Sequence, residues 1–168
     1  SGLAFEKHRG LRRRDALDQT AATASGAADR ALVVPTDVSD ATSVRTLFDK
    51  VAETFGRLDL LFNNAGVGGA TPLELTPEDE HRAMFEANYW GPIRMIRAVL
   101  PSMRERRAGS IVNVTSIAGR VATPNQIAYS ASKHALGAAS EALAHEVAAF
   151  AVRVAIIEPG VIQTAIFE

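Results

Sequence analysis

Leu58-Asp59-Leu60-Leu61-Phe62-Asn63-Asn64-Ala65-Gly66-Val67-Gly68-Gly69 decides the fold, because a short apolar run breaks directly into a segment with three glycines. Leu58 to Phe62 is too short for a helix and reads as a compact buried strand. The asparagine and glycine residues after it are too rich in backbone freedom for regular structure, so a loop sits at the strand's carboxyl end. Upstream, Ala31 to Thr36 reads as a second strand, followed by Asp37-Val38-Ser39-Asp40. Val44, Leu47, Phe48, Val51, Ala52 and Phe55 then recur at three- and four-residue steps, a one-sided helix that ends at Gly56.

Downstream, Thr76, Pro77 at the first helical position and Asp79 mark another helix start. Gly91-Pro92 should kink or split that helix, leaving Ile93, Ile96, Val99, Leu100 and Met103 on one face of its second half. Arg104, Arg106 and Arg107 complement its carboxyl-terminal dipole, and Ala108-Gly109 should stop it. Ser110 to Thr115 forms a third strand, followed by Ser116 and a loop with Gly119, Pro124 and Asn125. An alanine-rich helix from about Ala128 to Phe150 leads into a fourth strand, Val152 to Ile157, which ends at Glu158-Pro159-Gly160. Strands alternating with helices give an α/β domain, and strands this continuously apolar fit a doubly wound parallel sheet with helices on both faces. Right-handed crossovers place every strand-end loop on one edge.

The chain has 168 residues, 47% hydrophobic and 22% charged, the size of one globular domain over residues 1–168 with a substantial core. It has no cysteine, which excludes disulfides and thiolate sites. With 18 basic against 19 acidic side chains and a pI near 6.4, it lacks the charge excess that grips nucleic acid or anionic membranes. No apolar stretch approaches the ~18 to 20 residues that span a bilayer, and no signal-peptide pattern opens the chain, so the cytosol is the default location. His8, His81, His134 and His145 have no metal-ligand spacing, and no metal site is expected. A small molecule is the expected partner.

The best chemical constellation is Ser116, Tyr129 and Lys133. Tyr129 and Lys133 lie four apart on a helix and project from the same face, while Ser116 lies just past a parallel strand on the ligand-collecting edge. A phenol is a poor base at neutral pH, but an ammonium beside it favours the phenolate. Such a pair can exchange a proton with an alcohol or carbonyl oxygen. A tyrosine followed by a lysine at this spacing also arises by chance, and on the pair alone the structural reading is the commoner one.

Taken together, Asn63-Asn64-Ala65-Gly66, Asn88, Ser116, Tyr129-Ser130-Ala131-Ser132-Lys133 and Pro159-Gly160 with Thr164 resemble the classical short-chain dehydrogenase/reductase family in order and spacing, over residues 15–168. The resemblance implies a Rossmann-like fold and an NAD(P)-dependent oxidoreductase that interconverts a secondary alcohol and a ketone or aldehyde. It implies Tyr129 as general acid/base, Lys133 favouring the phenolate and holding the nicotinamide ribose, and Ser116 polarising the substrate oxygen. Asn88 would hold the helix kink and a water that links Lys133 to solvent; its structural role would be a buried amide near Gly91-Pro92. Asp37 would accept from the adenine amino group and Val38 would flank the ring, although Asp37 could equally serve a helix start. Asn64, Ala65 and Gly66 would let backbone approach the adenosine ribose. Pro159, Gly160, Ile162 and Thr164 would line the nicotinamide end.

The family's amino-terminal glycine turn is reduced here to Ser1-Gly2-Leu3-Ala4-Phe5, with Gly2 matching its last glycine. The distance from Gly2 to Asp15 is too short for the helix and strand expected there, and nothing follows Glu168 where a further strand and helix belong. The sequence reads as a fragment or, preferably, as ordered pieces of a longer chain written consecutively, since losing the first and last strands would open the sheet edges. Arg12 or Arg13, where the family selects its cofactor, tilts the expectation to NADP(H) over NAD(H), because a guanidinium pairs bidentately with a 2′-phosphate; a solvated basic turn is the alternative. Val121, Ala122, Pro124 and Ile127 in the loop after Ser116 point to an apolar or weakly polar substrate rather than a phosphorylated sugar. Ala135, Ala138, Ala139, Ala142 and Leu143 could make a close helix contact, and family members often associate through this helix, so a homodimer or homotetramer is expected. Two other readings use the same fold: a non-catalytic dinucleotide sensor, which has no need of an acid/base pair, and a sugar-nucleotide epimerase of the extended relatives, whose loop forms differ.

Overall fold

The computed structural model describes residues 14–23 and 31–160. Its regular elements are α1 (Arg14–Thr23), α2 (Ala41–Phe55), β1 (Leu60–Asn63), α3 (Glu78–Phe85), α4 (Gly91–Arg106), β2 (Gly109–Val114), α5 (Ile127–Val147) and β3 (Val152–Ile157). The strands form a parallel sheet in the order β1-β2-β3. In this register Leu61 stands beside Ile111 and Asn63 beside Asn113, while Val154 and Ile156 flank the same two β2 residues.

Alternation along each strand sorts these residues onto one face. Leu61, Ile111 and Val152 pack there against Ile96, Val99 and Met103 of α4 and Val147 of α5, with Phe48 of α2 and Leu143 of α5 at the margin. Met103, Ile111 and Val147 are fully buried, and each such side chain contributes roughly 1.5–3 kcal/mol. On the opposite face Leu60 and Phe62 are 52% and 51% exposed. The continuously apolar strands predicted cover on both sides; among the described residues the core covers one.

Asn63, Asn113 and Ser140 form a polar chain inside this apolar layer. Asn63 Nδ2 donates to Asn113 Oδ1 at 2.8 Å, Asn113 Nδ2 donates to Ser140 Oγ at 2.8 Å, and Ser140 Oγ donates to the Leu136 carbonyl at 2.6 Å. All three side chains are buried, so each bond replaces water that cannot enter. The chain bolts β1 to β2 and β2 to α5 at one level of the sheet.

Helix ends follow local chemistry, in part differently from expectation. Asp40 caps α2 by accepting from the Thr42 amide at 2.9 Å, and Gly56, at φ 75°, closes it with an N–H bond to Ala52. Ala31 to Thr36, expected as a strand, joins no ladder; extended backbone becomes a strand only beside a partner, and none lies beside it among the described residues. Thr76 does not cap α3: its hydroxyl donates to the Pro72 carbonyl at 2.9 Å, and Pro77 occupies the cap position. Arg107, not the expected Ala108-Gly109, ends α4 by adopting the left-handed conformation at φ 52°. Gly109 is needed for another reason, since a Cβ there would lie 2.5 Å from Met103 Sδ. The three arginines do more than meet a dipole: Arg104 stacks on Phe150, Arg106 donates to the Leu58 carbonyl and Arg107 to the Ala149 carbonyl.

Two substitutions test this packing by urea denaturation. Asn113→Ala leaves Asn63 Nδ2 and Ser140 Oγ without their partner and is expected to lower stability by roughly 2–4 kcal/mol, read as a lower midpoint at unchanged slope. Gly109→Ala drives a methyl into buried Met103 and is expected to cost about 1–3 kcal/mol, a cost that should shrink in a Met103→Ala background, where the clash is gone.

Candidate active site

All three strands end on one edge, and the loops leaving them carry Asn64-Ala65-Gly66, Ser116 and Pro159-Gly160. Opposite them, α5 presents Tyr129 and Lys133. Lys133 is buried, and its Nζ donates to the Val114 carbonyl at 3.0 Å and lies 5.9 Å from the centre of the Tyr129 ring. No carboxylate pairs with it among the described residues, and burial alone pushes its ammonium down to about 8. The cation therefore belongs to neutral pH and below, and is lost as pH rises through that value.

Ser116 sits in extended backbone just past β2, and its Oγ accepts from the Ala118 amide at 3.1 Å, capping the single turn Ile117–Gly119. A hydroxyl whose oxygen is held by an amide keeps its proton to donate elsewhere. Gly119 lets this turn press onto α5, since a Cβ there would meet the Lys133 carbonyl oxygen at 3.1 Å.

Asn88 lies in a π-helical turn, Glu86–Trp90, which is how the predicted split before Gly91-Pro92 is realised. The wider turn rotates Asn88 inward to complete burial. Its Oδ1 accepts from the Val67 amide at 2.8 Å, and its Nδ2 donates to the Val67 carbonyl at 2.9 Å and to Ser132 Oγ at 3.0 Å. Ser132 Oγ in turn donates to the Tyr129 carbonyl at 2.8 Å. One amide thus ties the loop after β1 to the helix that bears Tyr129. A Cβ on Gly66 would lie 3.2 Å from both Asn88 Oδ1 and Lys133 Nζ, so the glycine loop also reaches these two residues.

Asp37 closes a local turn: its Oδ1 accepts from the Ser39 amide at 3.0 Å and the Ser39 hydroxyl at 2.6 Å. Val38 packs against Gly91, where a Cβ would meet its Cγ2 at 2.8 Å. Asn64 and Gly160 are exposed, and Ala65 and Pro159 half-buried. Gly2, Arg12, Arg13, Ile162 and Thr164 lie outside the described residues. Ser132 and Val67 were not singled out from the sequence; a serine three residues after Tyr129 on the helix is the signal that could have found the first. His134, as expected, stays exposed on the far side, bonded to the Ser130 carbonyl. No group of His, Asp or Glu able to hold a metal occurs among the described residues, and no helix there is long and apolar enough to cross a membrane.

Comparison with known proteins agrees with this geometry. A family model described as short chain dehydrogenase matches residues 8–168. The chain is 44% identical over 131 residues to a 3-ketodihydrosphingosine reductase of Bacteroides thetaiotaomicron, covering 78% of this chain and 48% of the relative. Among solved structures it is similar to NAD+-bound xylitol dehydrogenase, at TM-score 0.87 and 32% identity over 93% of this chain and 60% of that one. It is likewise similar to ElxO with NADP bound, at TM-score 0.84 and 28% identity over 92% and 62%. The chain spans about half the length of the curated relatives it matches. These likenesses establish the Rossmann-like α/β fold, and the chain belongs to the short chain dehydrogenase family.

Proposed function

We propose that the protein is an NAD(P)-dependent oxidoreductase that interconverts an alcohol and a ketone, with Tyr129 as general acid/base. The observation that carries this reading is Lys133, a buried cation beside the Tyr129 ring with no carboxylate among the described residues to neutralise it. A sensor of dinucleotides gains nothing from that arrangement, which costs desolvation, whereas a proton-transferring phenol does.

The residues present fit a nicotinamide dinucleotide. Gly66 leaves Lys133 Nζ unscreened by a side chain, and Nζ uses one N–H on Val114, which leaves two for ribose hydroxyls. The dinucleotide supplies or accepts the hydride, and the protein handles position and proton. Ser116 donates its free proton to the substrate oxygen, where negative charge gathers during reduction. Tyr129 passes its proton to the same oxygen, and the Lys133 cation stabilises the phenolate left behind. Asn88 acts through Val67 and Ser132, holding the loop and the helix at fixed separation. Asp37 and Val38 would serve the adenine, and Asn64, Ala65, Pro159 and Gly160 the rest of the cofactor.

NADP(H) is favoured over NAD(H) on Arg12 and Arg13. The two structural neighbours hold one cofactor each, which is why the test must measure both. Ile117, Val121 and Ile127, on or beside the loop after Ser116, are 49%, 62% and 48% exposed, an apolar rim that suits an apolar substrate. The relative named as a reductase of 3-ketodihydrosphingosine points the same way and favours carbonyl reduction as the direction. A homodimer or homotetramer, a cytosolic location and a single domain complete the reading.

Titration with NADPH and NADH by nicotinamide fluorescence, followed by turnover of long-chain ketones, tests this assignment. Tyr129→Phe is expected to keep dinucleotide affinity and lose turnover by about 10²–10⁴-fold; loss of both together would remove Tyr129 from the chemistry. For carbonyl reduction, kcat/KM is expected to fall as pH rises through about 8, where Lys133 loses its charge. Lys133→Arg should abolish that limb, because a guanidinium does not titrate there; a limb that persists in it assigns the titration elsewhere.

A further inference from the structure

We propose that Arg120 is a positioning residue, clasping the Ser116 turn to the end of β3 through Glu158 and to α5 through Glu141. Arg120 Nε donates to Glu158 Oε1 at 2.6 Å, and Arg120 Nη2 lies 3.4 Å from Glu141 Oε1. These three residues belong to the three segments that carry the chemistry. Arg120 follows the turn that Ser116 caps, Glu158 precedes Pro159-Gly160, and Glu141 lies two helical turns beyond Lys133.

Backbone bonds already lead toward the same junction. The Thr115 amide donates to the Ile157 carbonyl at 2.8 Å and the Ile117 amide to the Pro159 carbonyl at 2.9 Å. Beyond Ile117 no backbone bond crosses to β3 among the described residues, so past that point the turn is held by Gly119 packed on α5 and by side-chain contacts. Arg120 supplies the cross-link there, and its planar fork suits a role between two carboxylates, which a lysine's single point charge would fill less well. An isolated exposed pair adds little stability, and Arg120 is half exposed. Its effect lies in geometry: small displacements of Ser116 relative to Tyr129 act on the rate far more than on folding.

This inference rests on the dehydrogenase reading, so the test pairs a kinetic readout with one that needs no turnover. In the full chain, Arg120→Ala and Glu158→Gln are each expected to lower kcat about two- to fivefold, the range an exposed ion pair supports, with dinucleotide affinity unchanged. The double variant should be no worse than either single one, and Arg120→Lys should recover part of the loss. Hydrogen exchange without dinucleotide should show the Ile117 and Gly119 amides opening faster in Arg120→Ala by a similar factor. Additive losses in the double variant, or unchanged kcat and exchange, overturn the clasp. A wild type that binds dinucleotide yet reduces no carbonyl overturns the dehydrogenase reading, while the exchange result still decides whether the clasp exists.

Discussion

The placement of α5 against the sheet rests on the buried chain from Asn63 through Asn113 to Ser140. Apolar packing alone sets a helix on a sheet loosely, since methyl contacts are nearly as good after a small slide or rotation. Hydrogen bonds inside a dry layer admit no such freedom, because a displaced partner leaves a polar group unpaired. Ser140 fixes the helix at one level, and two turns earlier Lys133 fixes it again at the Val114 carbonyl. Two anchors on adjacent β2 residues define both rotation and height. Tyr129, one turn before Lys133, inherits its position from them.

Asn88 does for the loops what that chain does for the sheet. A regular α-helix through Glu86–Trp90 would carry Asn88 round by another angle; the π turn turns it inward, where both of its amide groups find partners. Holding both the N–H and the C=O of Val67, the amide imitates a strand neighbour and makes an irregular glycine loop as well determined as a ladder. The same amide reaches Ser132, so loop and helix cannot shift independently. Gly66 is small because this junction is crowded, with Asn88 and Lys133 both within contact of any added carbon.

Much of this was legible in the sequence, for a physical reason. Periodicity reports burial, and burial of β1, β2, β3 and the long helix is local enough to read from residues two or four apart. The Tyr129 and Lys133 pairing followed from helix geometry alone. Features decided by distant partners were not legible. Ala31 to Thr36 has strand composition and, among the described residues, no ladder, because pairing is a property of two segments. Arg107 ends α4 in the left-handed conformation that glycine usually takes, and its guanidinium donates to the distant Ala149 carbonyl. Gly109 looked like the stop signal and is instead a space for Met103. Asn113 stands in a strand that reads as apolar, and only the register with Asn63 and the approach of Ser140 give it a role.

The burial of Lys133 explains why the site is assembled this way. A carboxylate beside the ammonium would secure its charge, yet it would also cancel the field that the cation exerts on the Tyr129 phenol. Solvent exposure would secure the charge too, and would screen that field with water. A buried ammonium with one carbonyl acceptor keeps the field at the cost of holding its own proton less firmly, since burial lowers it to about 8. That acceptor is the Val114 carbonyl, next to Asn113, so the polar chain that fixes the helix also fixes the one bond the ammonium makes.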